Sequence, residues 1–173
     1  MFGYILCGGA SVRMGSCKAL QLFDNEPLIH HMIQKILLCS LKPVLVQKPS
    51  QAFAISYPCI FDTSDDFHPL FGVATALSHA KSQNQESALI LPCDVPLLKC
   101  NAIELLLREC PSVAFDEEDF AHPLIAHYPS DWKDWAFSLA KGQQATKELA
   151  KVSKRVTISS ASLKNCNYPQ DLQ

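Results

Sequence analysis

The chain carries no surplus of positive charge: 15 basic side chains stand against 17 acidic ones among 173 residues, for a formal charge of -2. A domain that grips a polyanion regardless of its sequence shows a basic excess. General nucleic-acid binding is therefore not expected, and only a local basic site for one small anion remains. Long apolar runs are missing too. The stretch from Ile103 to Leu107 is interrupted by Glu104 and falls far short of the roughly 18 residues that span a bilayer, so no membrane partner is expected. Also absent is any CxxC pair among the eight cysteines, at positions 7, 17, 39, 59, 93, 100, 110 and 166. Neither a zinc ribbon nor a zinc finger reads from that spacing. The opening MFGYILCGG has no basic n-region, long apolar h-region or cleavage site, which argues against export and a disulfide framework. The expectation is a cytoplasmic protein with reduced thiols, in which Cys39, Cys59 and Cys110 serve as small buried hydrophobes.

What is present suits one compact domain over residues 1–173. Hydrophobic residues make up 48% and charged ones 18%, which excludes collagen-like and disordered chains. At this length folding buries roughly 68–70% of the unfolded surface, enough for a core without staples.

Short apolar runs alternate with amphipathic stretches. Tyr4-Ile5-Leu6, Val44-Leu45-Val46, Cys59-Ile60-Phe61 and Ala88-Leu89-Ile90-Leu91 have the form of strands buried on both faces. Pro27 opens a helix that repeats Leu28, Met32, Ile36 and Cys39 on one side and closes between Ser40 and Pro43. Leu70 to Ala80 forms a second, and Asn101 is the expected N-cap of a third. That order predicts an α/β fold, a Rossmann-like three-layer α/β/α sandwich with a mostly parallel sheet. In the C-terminal third, Val113-Ala114-Phe115 and Leu124-Ile125-Ala126 flank an acidic run, Asp116 to Asp119, and read as an antiparallel hairpin around a solvated turn. Trp132, Trp135 and Leu139 keep helical spacing as packing residues, Lys141-Gly142 is the expected C-cap, and Val156-Thr157-Ile158 is a further strand.

Ligands of open α/β sheets bind beyond the carboxyl ends of the strands, so the segment after each apolar run is a candidate site. After the first comes Leu6-Cys7-Gly8-Gly9-Ala10-Ser11-Val12-Arg13-Met14-Gly15-Ser16-Cys17-Lys18. Adjacent glycines let backbone N–H groups approach phosphate oxygens, and Arg13 and Lys18 add positive charge. The loop is neither a Walker A sequence nor GxGxxG. A Gly-rich surface turn with solvated basic residues is the competing reading. After the fourth run comes Leu91-Pro92-Cys93-Asp94-Val95-Pro96, where two prolines hold one carboxylate at the tip of a turn, a suitable Mg²⁺ ligand beside nucleotide phosphates. Lys18 and Asp94 are expected to converge on one triphosphate. After the third run, Asp62 is a candidate for sugar or metal-shell contacts, and His68-Pro69-Leu70-Phe71-Gly72 leads into a helix whose N-terminus favours anions. His68 is expected to be structural.

At these residues the sequence resembles the molybdenum cofactor guanylyltransferases, the MobA-like branch of the nucleotidyltransferases. Their opening pattern L-A-G-G-x-S-x-R-M-G-x-D-K is matched by Leu6, Gly8, Gly9, Ser11, Arg13, Met14, Gly15 and Lys18. Their P-C-D-x-P stretch corresponds to Pro92 through Pro96, G-P-L-A-G to His68 through Gly72, an H-P pair to His122-Pro123, and the closing N-x-N-x-P-x-x-L to Asn165 through Leu172. The resemblance implies a Mg²⁺-dependent transfer of GMP from GTP to molybdenum-molybdopterin, with pyrophosphate leaving. It implies nucleotide contacts from Leu6, Cys7, Gly8 and Gly9, phosphate contacts from Lys18 and Arg13, and purine- and ribose-side contacts from Gln47 and Asp62. Asp94 would hold the metal, and Asn165 and Asn167 would lie toward the pterin substrate. Transient contacts with cofactor-handling proteins or molybdoenzymes follow from the need to hand the product on. Cys7 stands where the family usually has Ala, Cys17 where it has Asp, His68 where it has Gly and Gln47 where it has Asn. Alternative readings are a related transferase using CTP or another phosphorylated acceptor, and a non-catalytic nucleotide- or cofactor-binding chaperone.

Overall fold

Alternate side chains of the central strands enter two separate apolar layers. Ile5, Leu45, Leu89 and Leu91 pack into one, while Tyr4, Val44, Val46, Ala88 and Ile90 pack into the other. A strand buried on both faces must be apolar at every position, which is why these segments read as unbroken hydrophobic runs. The computed structural model describes residues 1–8, 17–64 and 66–166. In chain order its elements are β1 (Phe2–Leu6), β2 (Leu22–Phe23), β3 (Glu26–Pro27), α1 (Leu28–Leu38), β4 (Lys42–Gln47), β5 (Cys59–Phe61), α2 (Pro69–Ser82), β6 (Ser87–Pro92), α3 (Cys100–Leu107), β7 (Ser112–Phe115), β8 (Ala121–Pro129), α4 (Lys133–Lys141), α5 (Lys147–Ala150) and β9 (Lys154–Thr157).

The main sheet has the order β5-β4-β1-β6-β8-β7-β9. β5, β4, β1 and β6 pair in parallel, β8 runs antiparallel between β6 and β7, and β9 is parallel to β7. The expected mostly parallel sheet with an antiparallel hairpin in the C-terminal third is thus what forms. α1 and α3 cover one face, and α2, α4 and α5 the other. α1 buries Leu28, Ile29, Met32, Ile33 and Ile36, each worth about 1.5–3 kcal/mol in removal from water. It also lies close to β1, since a Cβ built at Gly3 would come within 2.9 Å of Ile36 Cδ1. Among the described residues no helix is long and apolar enough to cross a membrane.

Several local expectations are corrected. Asn101 does not cap the third helix: α3 begins at Cys100, and extended Lys99 is the N-cap, its carbonyl accepting from the N–H groups of Ala102 and Ile103. Gly142 occupies the C-cap of α4 but with φ -78°, and it is Gln143 that turns left-handed, at φ 52°. The same left-handed exit follows α1 at Ser40 and α2 at Asn84, each with the next N–H returning to a carbonyl in the last turn. Cys110 is exposed and Cys39 and Cys59 are only partly buried, because they fall at element ends. The thiols that are buried belong to Cys7, Cys93 and Cys166. The small hairpin β2–β3 was not anticipated; its turn residues Asp24 and Asn25 both take positive φ, as a two-residue type I′ turn requires.

The acidic turn is organised from within. Asp116 accepts hydrogen bonds from the N–H groups of Glu118 and Phe120, Glu117 accepts from Ser160, and Asp119 pairs with Arg155. Tyr128, Trp132 and Trp135 pack in series against the α2–α4 layer, the two tryptophans edge to face, as packing residues do.

Candidate functional site

The strand order reverses at β1, with β4 and β5 on one side and β6 on the other, so the chain ends leaving β1 and β6 diverge and open a crevice between them. Leu6 is in register with Val46 and with Pro92, and its carbonyl accepts from the Cys93 N–H at 3.2 Å. The Cys7 N–H reaches across to Val46 O at 2.9 Å. The backbone at Leu6, Cys7 and Gly8 is therefore held against both neighbours just where the sheet ends.

On the β6 side stands Asp94. The Lys18 ammonium, at the start of a short 3-10 turn, lies 2.5 Å from Asp94 Oδ2. Both side chains are partly accessible, at 17% and 15%. The other carboxylate oxygen, Oδ1, is buried and has no hydrogen-bond partner among the described residues. An anionic oxygen left without a donor costs free energy unless a cation or proton donor meets it. The C-terminal segment returns to the same point, since the Cys166 N–H donates to Asp94 O at 2.9 Å, which brings Asn165 beside the crevice. Lys18, Asp94 and the segment containing Asn165 are thus brought together as the sequence reading requires. Arg13, Gly9 and Asn167 lie outside the described residues.

On the β4–β5 side the picture is different. Gln47 is buried and its amide is committed: Oε1 accepts from Phe53 N at 3.0 Å, and Nε2 donates to Phe53 O at 3.3 Å. These bonds mimic a strand pair and pin the loop between β4 and β5. Asp62 is equally engaged. One oxygen accepts from Thr75 Oγ1 at 3.2 Å and Ser64 N at 3.4 Å, and the other accepts from Lys48 Nζ at 2.9 Å.

Lys48 is the site residue that sequence reasoning missed. Its side chain is only 2% exposed, and its three ammonium protons meet three acceptors, Asp62 Oδ2, Ser64 O and Asp66 O, the last two at 2.6 Å. Followed by Pro49 and Ser50, it reads in the sequence as a surface lysine at a strand end. The usable signal was its place directly after a buried strand, facing Asp62 across a parallel pair. Removing either partner of such a buried pair alone costs roughly 3–5 kcal/mol.

The lysine stem also runs under the glycine loop, where a Cβ built at Gly8 would lie 2.5 Å from Lys48 Cγ. Only glycine lets the backbone pass so close. From the opposite side α2 comes near the same cluster at Gly72, whose added Cβ would touch Leu6 and Asp62 Oδ2 at 3.4 and 3.7 Å.

His68 is structural, as expected, its Nδ1 capping α2 by accepting from Leu70 N. The Phe71 N–H goes to His68 O, so the first turn of α2 satisfies its own donors rather than presenting them to an anion. Burial, with a smaller contribution from neighbouring thiols and the Asp94 carboxylate, pushes the Cys7 and Cys93 thiols well above the usual range. Neither is a nucleophile at neutral pH. What the crevice does offer is a cation, an anionic oxygen without a donor and main-chain groups at a strand end. That set suits the positioning and charge stabilisation of phosphates.

Comparison with known proteins agrees. A probable molybdenum cofactor guanylyltransferase of Flavobacterium johnsoniae is 39% identical over 129 residues, spanning 72% of this chain and 66% of that protein. The molybdenum cofactor guanylyltransferase of Haemophilus influenzae is 30% identical over 189 residues, spanning 98% of this chain and 94% of that one. In fold, the crystal structure of molybdopterin-guanine dinucleotide biosynthesis protein A from Archaeoglobus fulgidus superimposes with a TM-score of 0.77 at 20% identity, covering 99% of this chain and 95% of that one. The family model of the MobA-like NTP transferase domain matches residues 3–157, and the chain belongs to that family of nucleotidyltransferases.

Proposed function

We propose that the protein is a Mg²⁺-dependent molybdenum cofactor guanylyltransferase, moving GMP from GTP to the terminal phosphate of molybdenum-molybdopterin. The observation that carries the reading is the Lys18–Asp94 pair at the switch point, with Asp94 Oδ1 buried and without a donor among the described residues. That free oxygen fits a magnesium ion, which is commonly bound by one or two carboxylates together with substrate phosphates and water. When bound there, Mg²⁺ supplies charge neutralisation across the phosphate oxygens.

The residues of the chain then divide the work. The backbone of Leu6, Cys7, Gly8 and Gly9 receives the nucleotide, and Gln47 and Asp62 form the wall on its nucleoside side. The ammonium of Lys18, resting on Asp94 before the nucleotide arrives, turns to the phosphates, and the Asp94 carboxylate would then hold the metal. Arg13 adds charge to the same oxygens. Asn165 and Asn167 hold the pterin-bearing acceptor on the β6 side. A phosphate oxygen of the acceptor attacks the α-phosphorus of GTP, the bond from that phosphorus to the β-phosphate bridge breaks, and pyrophosphate departs with the electron pair. The acceptor is already an anion, so no side-chain base is required. Alignment and charge stabilisation carry the rate. Transient contact with cofactor-handling proteins belongs to the same proposal.

The test is turnover with Mg²⁺, molybdenum-loaded molybdopterin and each of GTP, CTP and ATP. Dinucleotide and pyrophosphate from GTP alone are expected. Product from CTP would reassign the base, and binding without pyrophosphate from any nucleotide would leave a carrier in place of an enzyme.

A further inference from the structure

Buried lysines are rare, and one whose three donors are all met inside the protein is held in a single position. Lys48 is such a residue. It does not face the crevice, being 2% exposed, yet it touches each segment that shapes the nucleoside half of it. It follows Gln47 at the end of β4, and its ammonium ties the Asp62 carboxylate to the carbonyls of Ser64 and Asp66. Its stem fills the space under Gly8 that a Cβ would need. Through Asp62 it is linked to Thr75 in α2. Its ammonium lies 6.0 Å from the Phe71 ring centroid.

We propose that Lys48 is a positioning residue of the nucleotide site: it fixes Asp62, the segment that follows β5 and the Gly8 backbone in their binding arrangement before nucleotide arrives. The inference rests on the nucleotidyl-transfer reading and deepens it. With the Gln47 amide bonded to Phe53 and the Asp62 side chain 4% exposed, neither offers much to a base or ribose directly. They act by holding main chain in place, and Lys48 couples them. A preformed wall costs the nucleotide no ordering of the protein on binding.

Three proteins separate this role from a purely structural one: wild type, Lys48→Arg, and the double variant Lys48→Met/Asp62→Asn, each followed by thermal unfolding, by calorimetric titration with GTP and Mg²⁺, and by steady-state turnover. The double variant leaves no unpaired charge buried, so its melting temperature stays close to that of wild type. Its GTP affinity falls by about tenfold or more, the usual cost of losing a residue that orients a binding group. KM for GTP rises by a similar factor while kcat changes little, because the loss falls on ground-state binding. Lys48→Arg keeps the charge but not the three-way geometry, and binds between the two. A folded double variant with wild-type affinity overturns the proposal.

A second measurement needs no variant. The Ser64 amide, bonded to Asp62 Oδ1 in a part-buried contact, exchanges slowly with solvent in the nucleotide-free wild type and changes little when GTP is added. Fast exchange that slows only with GTP overturns preorganisation. Should wild type bind no nucleotide at all, the nucleotidyltransferase reading falls and this role with it. If wild type binds and turns over GTP while the variants do the same, only the role of Lys48 falls.

Discussion

Lys18 and Asp94, 76 positions apart in the chain, meet at 2.5 Å across the crevice between β1 and β6, and the carboxylate oxygen that Lys18 does not touch is buried with no donor among the described residues. A lysine resting on one oxygen and an open position on the other is what a site needs if a phosphate is to take the ammonium and a cation the carboxylate. The pair also reconciles a near-neutral protein with a highly charged ligand. On the proposed function, the Lys18 charge that meets the ligand is held in place by Asp94 until the ligand competes for it.

Substitution of either residue falls on turnover far more than on folding, since both side chains are partly exposed. Lys18→Ala and Asp94→Asn each lower the rate of pyrophosphate release by about 10²–10³, the cost of removing one group that stabilises developing charge. The double variant loses little more than either single one, because the two act as a unit. Steady-state kinetics with circular dichroism on the same samples checks both statements, and near-normal turnover in Lys18→Ala removes that residue from the catalytic set.

Gly3 and Ile36 give a stability prediction remote from the chemistry. An alanine at position 3 would meet Ile36 Cδ1 at 2.9 Å, so Gly3→Ala destabilises by about 1–3 kcal/mol in urea unfolding, as overpacking does. Adding Ile36→Val removes the clashing methyl and recovers part of that loss. If the second substitution only adds to the first, the close approach of α1 to β1 is not the cause.

Acid sensitivity has two identifiable sources. His127 is buried and bonded at Nδ1 to Glu109 O and at Nε2 to Ser87 Oγ, both at 2.8 Å, and burial lowers its pKa below the ordinary 6.5. The unfolded chain therefore takes up a proton before the folded one does, and stability is lost as pH falls below about 6.5. Asp116, held low chiefly by the Phe120 N–H, contributes stability that persists above its unfolded value of 3.8 and goes only as pH falls below it. Denaturation midpoints measured from pH 8 to pH 5 flatten in His127→Gln and not in Asp116→Asn.

Native-state alkylation orders the thiols by accessibility. Iodoacetamide labels the exposed Cys110 in the folded protein, at a rate held back by its raised thiol, while Cys7, Cys93 and Cys166 react only on unfolding. Cys39 is slow for its exposure, because burial and the adjacent Cys100 push its thiol up to about 11. Peptide mass spectrometry over a time course reads the order, and early labelling of Cys93 contradicts the packing beside Asp94.

The central strands were legible because strands buried on both faces cannot hide their composition: Tyr4–Leu6 and Val44–Val46 need only extension at their ends. Cys59–Phe61 does form a strand, but it is not buried on both faces as expected, because β5 is the sheet edge and leaves Phe61 53% exposed. The convergence of Lys18 and Asp94 was legible for a related reason, since the topology of a doubly wound sheet delivers the segments after β1 and β6 to one edge. Lys48 was not. Its environment is made by Ser64 and Asp66 carbonyls and by the absence of a Cβ at Gly8, none of which leaves a pattern around position 48. Helix boundaries failed at Asn101 and Gly142 where backbone carbonyls and a left-handed glutamine supplanted the side chains that usually mark them. Cys110 misled because cysteine burial is a tendency of the residue type, overridden by its place in the link between α3 and β7.

The central claim is guanylyl transfer to a molybdenum-loaded pterin. Its most direct measurement is the product formed when the purified protein is incubated with Mg²⁺, molybdenum-molybdopterin and an equimolar mixture of GTP, CTP and ATP. The expected product is the guanine dinucleotide with one pyrophosphate for each, and none from Asp94→Ala. A cytosine or adenine dinucleotide in its place, or undiminished product from Asp94→Ala, would contradict it.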